Sequence, residues 1–229
     1  MAESIETTLI RQTPSLDRHA LTLALHAQAA AWQRGLLSDP TTLTLIDYSL
    51  PSYVPRLWVI DLVARRVIFE ELVAHGRNSG AAFATRFSNL QSSLQSSLGL
   101  FVTQSTYRMG RHGQALRLQG LEAGFNDRAL ARGIVIHASK YVSTAIAANR
   151  GQIGRSWGCP ALSNQAAPRV IARIRNGSAV FAYYPDQHWL GSSVFLRPAP
   201  AAVIAIAPAA VSRIVAAVAT GALRPVPAA

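Results

Sequence analysis

The strongest constraint on the fold is a succession of short runs of branched and aromatic residues divided by Gly, Ser and Asn clusters. The runs fall at residues 57–63, 67–73, 99–106, 115–121, 134–137 and 178–184. Val, Ile, Phe and Tyr fit a pleated, half-buried surface, and the intervening residues are turn formers, so each run reads as a strand. The first two, separated by Ala64-Arg65-Arg66, read as a hairpin. Many short strands with frequent turns point to a mainly β sandwich or barrel. Two helical patterns flank them. Ser15 caps an expected helix over 16–34, with Leu16, Leu23, Ala27 and Ala30 on one side. Asn164 caps a second over 165–175, with Val170, Ile171 and Ile174 inward and Gly177 as its stop. The organisation expected is an N-terminal helical segment (1–42), a β domain (43–198) and an Ala/Pro-rich C-terminal appendage (199–229).

Such a fold needs a core, and the chain supplies one: 229 residues, half of them hydrophobic, exclude general disorder. Its formal charge of +11 comes almost wholly from arginine, since Lys140 is the only lysine. That surface attracts polyanions, a nucleic-acid backbone among them, although a GC-rich genome produces the same arginine and alanine usage without a selected partner, and no dedicated nucleic-acid partner is expected. The start, Met1-Ala2-Glu3-Ser4-Ile5-Glu6, lacks the order of a secretory signal. The stretch 201–223 is apolar, but Pro208 and Arg213 interrupt it, so a packed helix is expected there rather than a membrane span.

Cys159 is the only cysteine, so no internal disulfide can form. It lies in Gly154-Arg155-Ser156-Trp157-Gly158-Cys159-Pro160, where Gly158 permits a sharp turn and backbone N–H groups can converge on one anion. A lone cysteine is an apolar filler, a metal ligand or a reactive thiol; these neighbours favour the thiol. A free thiol ionises near pKa about 8.5, so reactivity at neutral pH calls for a base. The run Gly133-Ile134-Val135-Ile136-His137 supplies one: a strand that ends on an imidazole. Residues 141–150 then read as a short helix or ordered loop that lets His137 and Cys159 meet. Tyr141 either lines the cleft or packs, and the loop Gly76-Arg77-Asn78-Ser79-Gly80 reads as a solvated turn rather than a phosphate cradle. His75 and His112 lack acidic or cysteine partners at ligand spacing, so no metal is expected.

The ordered set of motifs resembles the murein L,D-transpeptidases with the YkuD-type catalytic domain. The resemblance rests on His137, a spacer, and Ser156-Trp157-Gly158-Cys159. Upstream, Arg56-Leu57-Trp58-Val59-Ile60-Asp61-Leu62, His75-Gly76, Phe87-Ser88-Asn89, Ser96-Ser97-Leu98-Gly99-Leu100 and Leu118-Gln119-Gly120-Leu121-Glu122 extend it over roughly residues 43–185. It implies a cysteine-dependent transpeptidase acting on peptidoglycan stem tetrapeptides through a thioester, an L,D-carboxypeptidase if water is the acceptor, and a carbapenem target. It also implies a periplasmic or otherwise exported workplace, peptidoglycan stem peptides as partner, and no metal or organic cofactor. Cys159 is then the nucleophile, His137 the base, and the backbone of Trp157, Gly158 and Cys159 the oxyanion site.

Many members of that family carry a second histidine where this chain has Trp157, and Asn or Arg shortly after the cysteine where it has Pro160-Ala161-Leu162-Ser163. Tyr141, Ser156, Arg155 and Asn164 are the expected substrate contacts, with Ser163 a further candidate. Two other readings stay open. One is a plain thiol peptidase using the same pair. The other is a non-catalytic binder of anionic envelope polymer or nucleic acid, with Trp157 closing the cleft.

Overall fold

The apolar runs pair into one eight-stranded sheet in the computed structural model, which describes residues 3–110 and 113–197. Its strands are β1 (Thr42–Asp47), β2 (Leu57–Asp61), β3 (Arg66–Glu71), β4 (Gly99–Arg108), β5 (Gln114–Gly120), β6 (Val135–Ala138), β7 (Ala161–Leu162) and β8 (Ala179–Tyr183). The spatial order is β3-β2-β1-β8-β4-β5-β6-β7. Neighbours are antiparallel except β1 with β8 and β6 with β7. The expected hairpin is present as β2 and β3. All six residues of β1 are buried, because β2 and β8 flank it and helices cover it; this central strand lies outside the runs expected from sequence.

The two edges of the sheet approach one another. Beyond β3 the chain bridges antiparallel to β7 at Ala74 and Ala161, and parallel to the cysteine turn at Gly76 and Ser156. The Ala74 N–H donates to the Ala161 carbonyl at 2.9 Å, Ser156 N–H to the His75 carbonyl at 2.9 Å, and Arg77 N–H to the Ser156 carbonyl at 2.8 Å. These bonds nearly close the sheet into a barrel, satisfying strand edges that would otherwise be exposed.

Among the described residues five helices lie on the periphery: α1 (Ile5–Gln12), α2 (Arg18–Gln33), α3 (Thr144–Arg150), α4 (Ala166–Ile174) and α5 (Gln187–Ser192). Both helix caps differ from expectation. Asp17, not Ser15, caps α2 by accepting the Ala20 N–H at 2.8 Å, whereas the Ser15 hydroxyl donates to Glu70 at 2.6 Å. Ser163, not Asn164, accepts the Ala166 N–H of α4 at 3.1 Å, and Asn164 is exposed. The buried stripe of α2 runs through Ala20, Ala24, Ala27 and Ala31, while Leu23 and Ala30 are only partly covered; small alanines permit close approach to β1 and β8. In α4, Val170, Ile171 and Ile174 are buried as expected. Residues 3–196 form one compact unit. The expected appendage 199–229, with its apolar 201–223 stretch, and His112 lie outside the described residues.

A buried polar node fixes the β4 and β5 end of the barrel. Asn126 is fully buried, accepts the Glu122 N–H at 2.8 Å and donates from its amide nitrogen to the Leu98 and Leu100 carbonyls at 2.9 and 3.0 Å. The Glu122 carboxylate accepts Leu100 N–H at 2.7 Å and Trp189 Nε1–H at 2.9 Å. Burial holds this carboxyl above its ordinary range, and the hydrogen bonds oppose that shift. Gly120 must be small here, since a Cβ would stand 1.9 Å from the Asn126 carbonyl oxygen. Exchanging the Asn126 amide for a carboxyl in Asn126→Asp sets an acceptor against two carbonyls. Urea unfolding should show a loss on the order of 3 kcal/mol; wild-type stability would contradict the role given to this amide.

Candidate active site

The site is built at the barrel seam, where β6, β7 and residues 73–77 meet. β6 is a short buried strand whose third residue is His137, itself 6% exposed. The Nδ1 of His137 lies 2.9 Å from the Ala138 carbonyl oxygen. A carbonyl can only accept, so Nδ1 carries a proton, which in the neutral ring makes Nε2 the basic nitrogen. In the parallel ladder His137 pairs with Ala161, two residues beyond Cys159. Cys159 therefore runs alongside Val135, on the strand that carries the imidazole.

Cys159 is partly buried, and its Sγ lies 3.7 Å from the Gly133 carbonyl oxygen. Burial pushes the thiol above its ordinary pKa; the Val135 N–H and the positive charge of Arg132 pull it back. At neutral pH the resting sulfur is thus a thiol, and a base must remove its proton for it to act as a nucleophile.

The preceding turn is held from three sides. The Ser156 hydroxyl, 4% exposed, accepts the Gly158 N–H at 3.0 Å and donates to the Cys159 carbonyl at 2.6 Å. Gly158 has φ +122°, and a Cβ there would stand 2.7 Å from the Gln95 carbonyl oxygen, so the position requires glycine. Ser96 supports it from below, donating to the Gly158 carbonyl at 3.1 Å and accepting Gly76 N–H at 3.0 Å. This arrangement changes the expected anion site. The Gly158 N–H is already bound to Ser156, whereas among the described residues neither Trp157 nor Cys159 N–H has a protein acceptor.

The other expected contacts have distinct placements. Ser156 is a buried organiser of the turn rather than an open contact. Tyr141 is partly buried beside Gly154, where a Cβ would stand 2.4 Å from the tyrosine Cβ. Burial raises its phenol above the ordinary pKa; Ser139 opposes this and Cys159 reinforces it, placing the ring in the field of the sulfur. Arg155 Nη1 donates to the Gly80 carbonyl at 2.8 Å and the Arg77 carbonyl at 3.3 Å, fastening the 76–80 loop. Asn164 stands beyond β7 at the start of α4. Trp157 is 73% exposed, so its ring projects to solvent instead of filling the interior.

Beneath the turn lies a pair that sequence reasoning did not assign. Arg56, fully buried, donates to the Leu50 carbonyl at 2.7 Å, the Val73 carbonyl at 2.8 Å and His75 Nδ1 at 2.7 Å, and its guanidinium faces the Tyr48 ring. Burial lowers its pKa to about 10. Because arginine donates, His75 Nδ1 is the acceptor and the ring is neutral. Burial and the adjacent Arg56 charge lower its pKa to about 4. His75 is thus a strut, holding by its backbone carbonyl the Ser156 N–H. Among the described residues no group of three or more His, Cys, Asp or Glu could hold a metal. A cleft of about 390 Å³ that includes Phe87, Asn89, Phe125, Asp186 and His188 in its lining contains neither Cys159 nor His137; the bonded geometry, not this cavity, locates the candidate chemistry.

Residues 12–183 match the L,D-transpeptidase catalytic domain, and the chain belongs to that family, a family of enzymes whose substrate is peptidoglycan. Among solved structures, an L,D-transpeptidase from Mycobacterium smegmatis shares 14% identity and a TM-score of 0.40, covering 63% of this chain and 59% of its own. L,D-transpeptidase 3 from Mycobacterium tuberculosis, in complex with a faropenem-derived adduct, shares 13% identity and a TM-score of 0.42, covering 63% of this chain and 60% of its own. The chain thus spans less than two thirds of the length of these proteins. No curated protein sequence matches it. No helix among the described residues is long and apolar enough to cross a membrane.

The His75 assignment predicts a pH dependence of stability. Unfolded, the imidazole protonates near its ordinary value of 6.5; folded, only near about 4. Between these values the unfolded state binds the extra proton, so this contribution is intact above pH 6.5 and is lost as pH falls toward 4. In His75→Asn, which keeps an acceptor for Arg56, urea unfolding should lose less stability than wild type over that interval. Parallel pH profiles would overturn the assignment.

Proposed function

We propose that the protein is a cysteine-dependent peptidoglycan L,D-transpeptidase. The observation carrying this reading is that His137, its Nδ1 tied to a backbone carbonyl, pairs with Ala161 two residues beyond Cys159, in a chain of the L,D-transpeptidase family. The donor is a stem tetrapeptide. His137 Nε2 takes the Cys159 proton, and the sulfur attacks the carbonyl of the third residue. The tetrahedral oxyanion is received by the Trp157 and Cys159 N–H groups, each good donor being worth about 3 kcal/mol. His137 then returns the proton to the departing amine, expelling the terminal D-alanine and leaving a thioester on Cys159. A side-chain amine of a second stem resolves it to a cross-link; water resolves it to a tripeptide.

Tyr141, Arg155 and Asn164 are proposed substrate contacts, with Ser156 acting through the turn. The location proposed is the cell envelope, where the +11 surface would also meet acidic polymers. A binder with a blocked cleft is less favoured, because Trp157 stands out in solvent at 73% exposure.

Incubation with a carbapenem or a disaccharide tetrapeptide, followed by intact mass measurement, should give a covalent adduct. Cys159→Ala should abolish it, and His137→Gln should slow its formation at least about 100-fold, the scale of a general base. Absence of any adduct across pH and acceptors would sink the proposal, and an adduct transferred to an added amine would distinguish a transferase from a plain peptidase.

A further inference from the structure

Arg132 immediately precedes Gly133, whose carbonyl contacts the Cys159 sulfur, and its guanidinium is spent on a single task. Nη1 donates to the Ser88 carbonyl at 2.7 Å and the Ser97 hydroxyl at 2.5 Å; Nη2 donates to the Ser93 hydroxyl at 3.1 Å and the Gln95 carbonyl at 2.7 Å. Four N–H bonds thus gather the 88–97 loop around one cation. That loop carries two residues in left-handed backbone, Ser92 at φ 59° and Leu94 at φ 57°, a conformation disfavoured for leucine and held by its surroundings. The gathered loop abuts the nucleophile's turn. A Cβ on Gly158 would stand 2.7 Å from the Gln95 oxygen and 3.4 Å from Arg132 Nη2.

Among the described residues no carboxylate pairs with Arg132. A half-buried guanidinium bonded only to neutral acceptors is not cancelled by a paired charge, and solvent screens it only in part. Its charge acts on Cys159, which the Val135 N–H also faces and whose own charge the Tyr48 and Tyr141 phenols sense.

We propose that Arg132 is a positioning residue with an electrostatic role: it clamps the 88–97 loop against the Cys159 turn and stabilises negative charge on Sγ when the thiol proton leaves for His137. The inference rests on the reading of Cys159 as a nucleophile and adds a third charged member to the pair. No bond to Arg132 forms or breaks. It remains cationic throughout, and the proton moves only from sulfur to imidazole.

Because Cys159 is the only cysteine, iodoacetamide alkylation followed by intact mass reads its thiolate alone, with no peptidoglycan substrate required. Rates would be measured from pH 5 to 10 for wild type, Arg132→Gln, Arg132→Lys and Ser97→Ala, with circular dichroism and thermal melts to establish folding. Removing the charge in Arg132→Gln should raise the alkylation midpoint by about one pH unit, slowing the reaction about tenfold below both midpoints. Arg132→Lys, which keeps the charge, and Ser97→Ala, which removes one loop anchor and keeps it too, should stay within about 0.3 unit of wild type. A folded Arg132→Gln with the wild-type midpoint overturns the proposal, as does a full-unit displacement in either charge-retaining variant. Should Arg132→Gln fail to fold, those two variants still decide. Failure to form a carbapenem adduct, with an Arg132-dependent midpoint, would count against the transpeptidase reading and leave this inference standing.

Discussion

The seam between residues 74–77 and 156–161 is the constraint on which this molecule depends. An open eight-stranded sheet of this order leaves β3 and β7 with unpaired edges. Here the chain leaving β3 crosses to β7, and three backbone hydrogen bonds fasten it there. Two of the three involve Ser156, whose hydroxyl then shapes Gly158 and Cys159. Closing the barrel and presenting the thiol are one structural event. The turn needs no long side-chain scaffold because sheet pairing, the most obligatory hydrogen bonding in the fold, fixes its position.

Buried polar groups around the seam fit the same logic. Among the described residues no carboxylate forms an ion pair with Arg56, although the Asp47 charge acts on it; its guanidinium donates to acceptors at residues 50, 73 and 75 and faces the Tyr48 ring. Such a group is costly if one acceptor moves, so it specifies a single path for the chain that closes the barrel. Glu122 and Asn126 impose a similar condition at the opposite end of β5. Polar satisfaction fixes where each loop enters the wall, while the apolar interior supplies the general drive to close it.

The strands were legible because branched residues in short runs have few other stable uses, and all six expected runs begin within one residue of an observed strand. β1 was not, since Thr42-Leu43-Thr44-Leu45 alternates while the strand is buried on both faces. Its Thr-Leu alternation was the available signal. Helix α1 has only eight residues and owes its place to packing on α2 and β3. Asp17 and Ser15 are equally able caps by chemistry, and tertiary contact with Glu70 removed Ser15 from that role. Cys159 and His137 stood out through a turn-forming run and a strand end. Arg132 did not, because in a chain with 22 basic residues one more arginine carries no mark. Nor could sequence show that Ser156 occupies the Gly158 N–H, which depends on how the turn is folded against His75.

Trp157 has a consequence outside catalysis. Of the four tryptophans, Trp58 and Trp189 are fully buried, Trp32 is half-buried and Trp157 is 73% exposed. An indole in water emits at longer wavelength than one enclosed by apolar side chains, and soluble quenchers reach it first. The red edge of the protein's intrinsic fluorescence therefore belongs chiefly to a side chain two residues from the sulfur. The molecule carries its own optical reporter for whatever comes to rest beside Cys159.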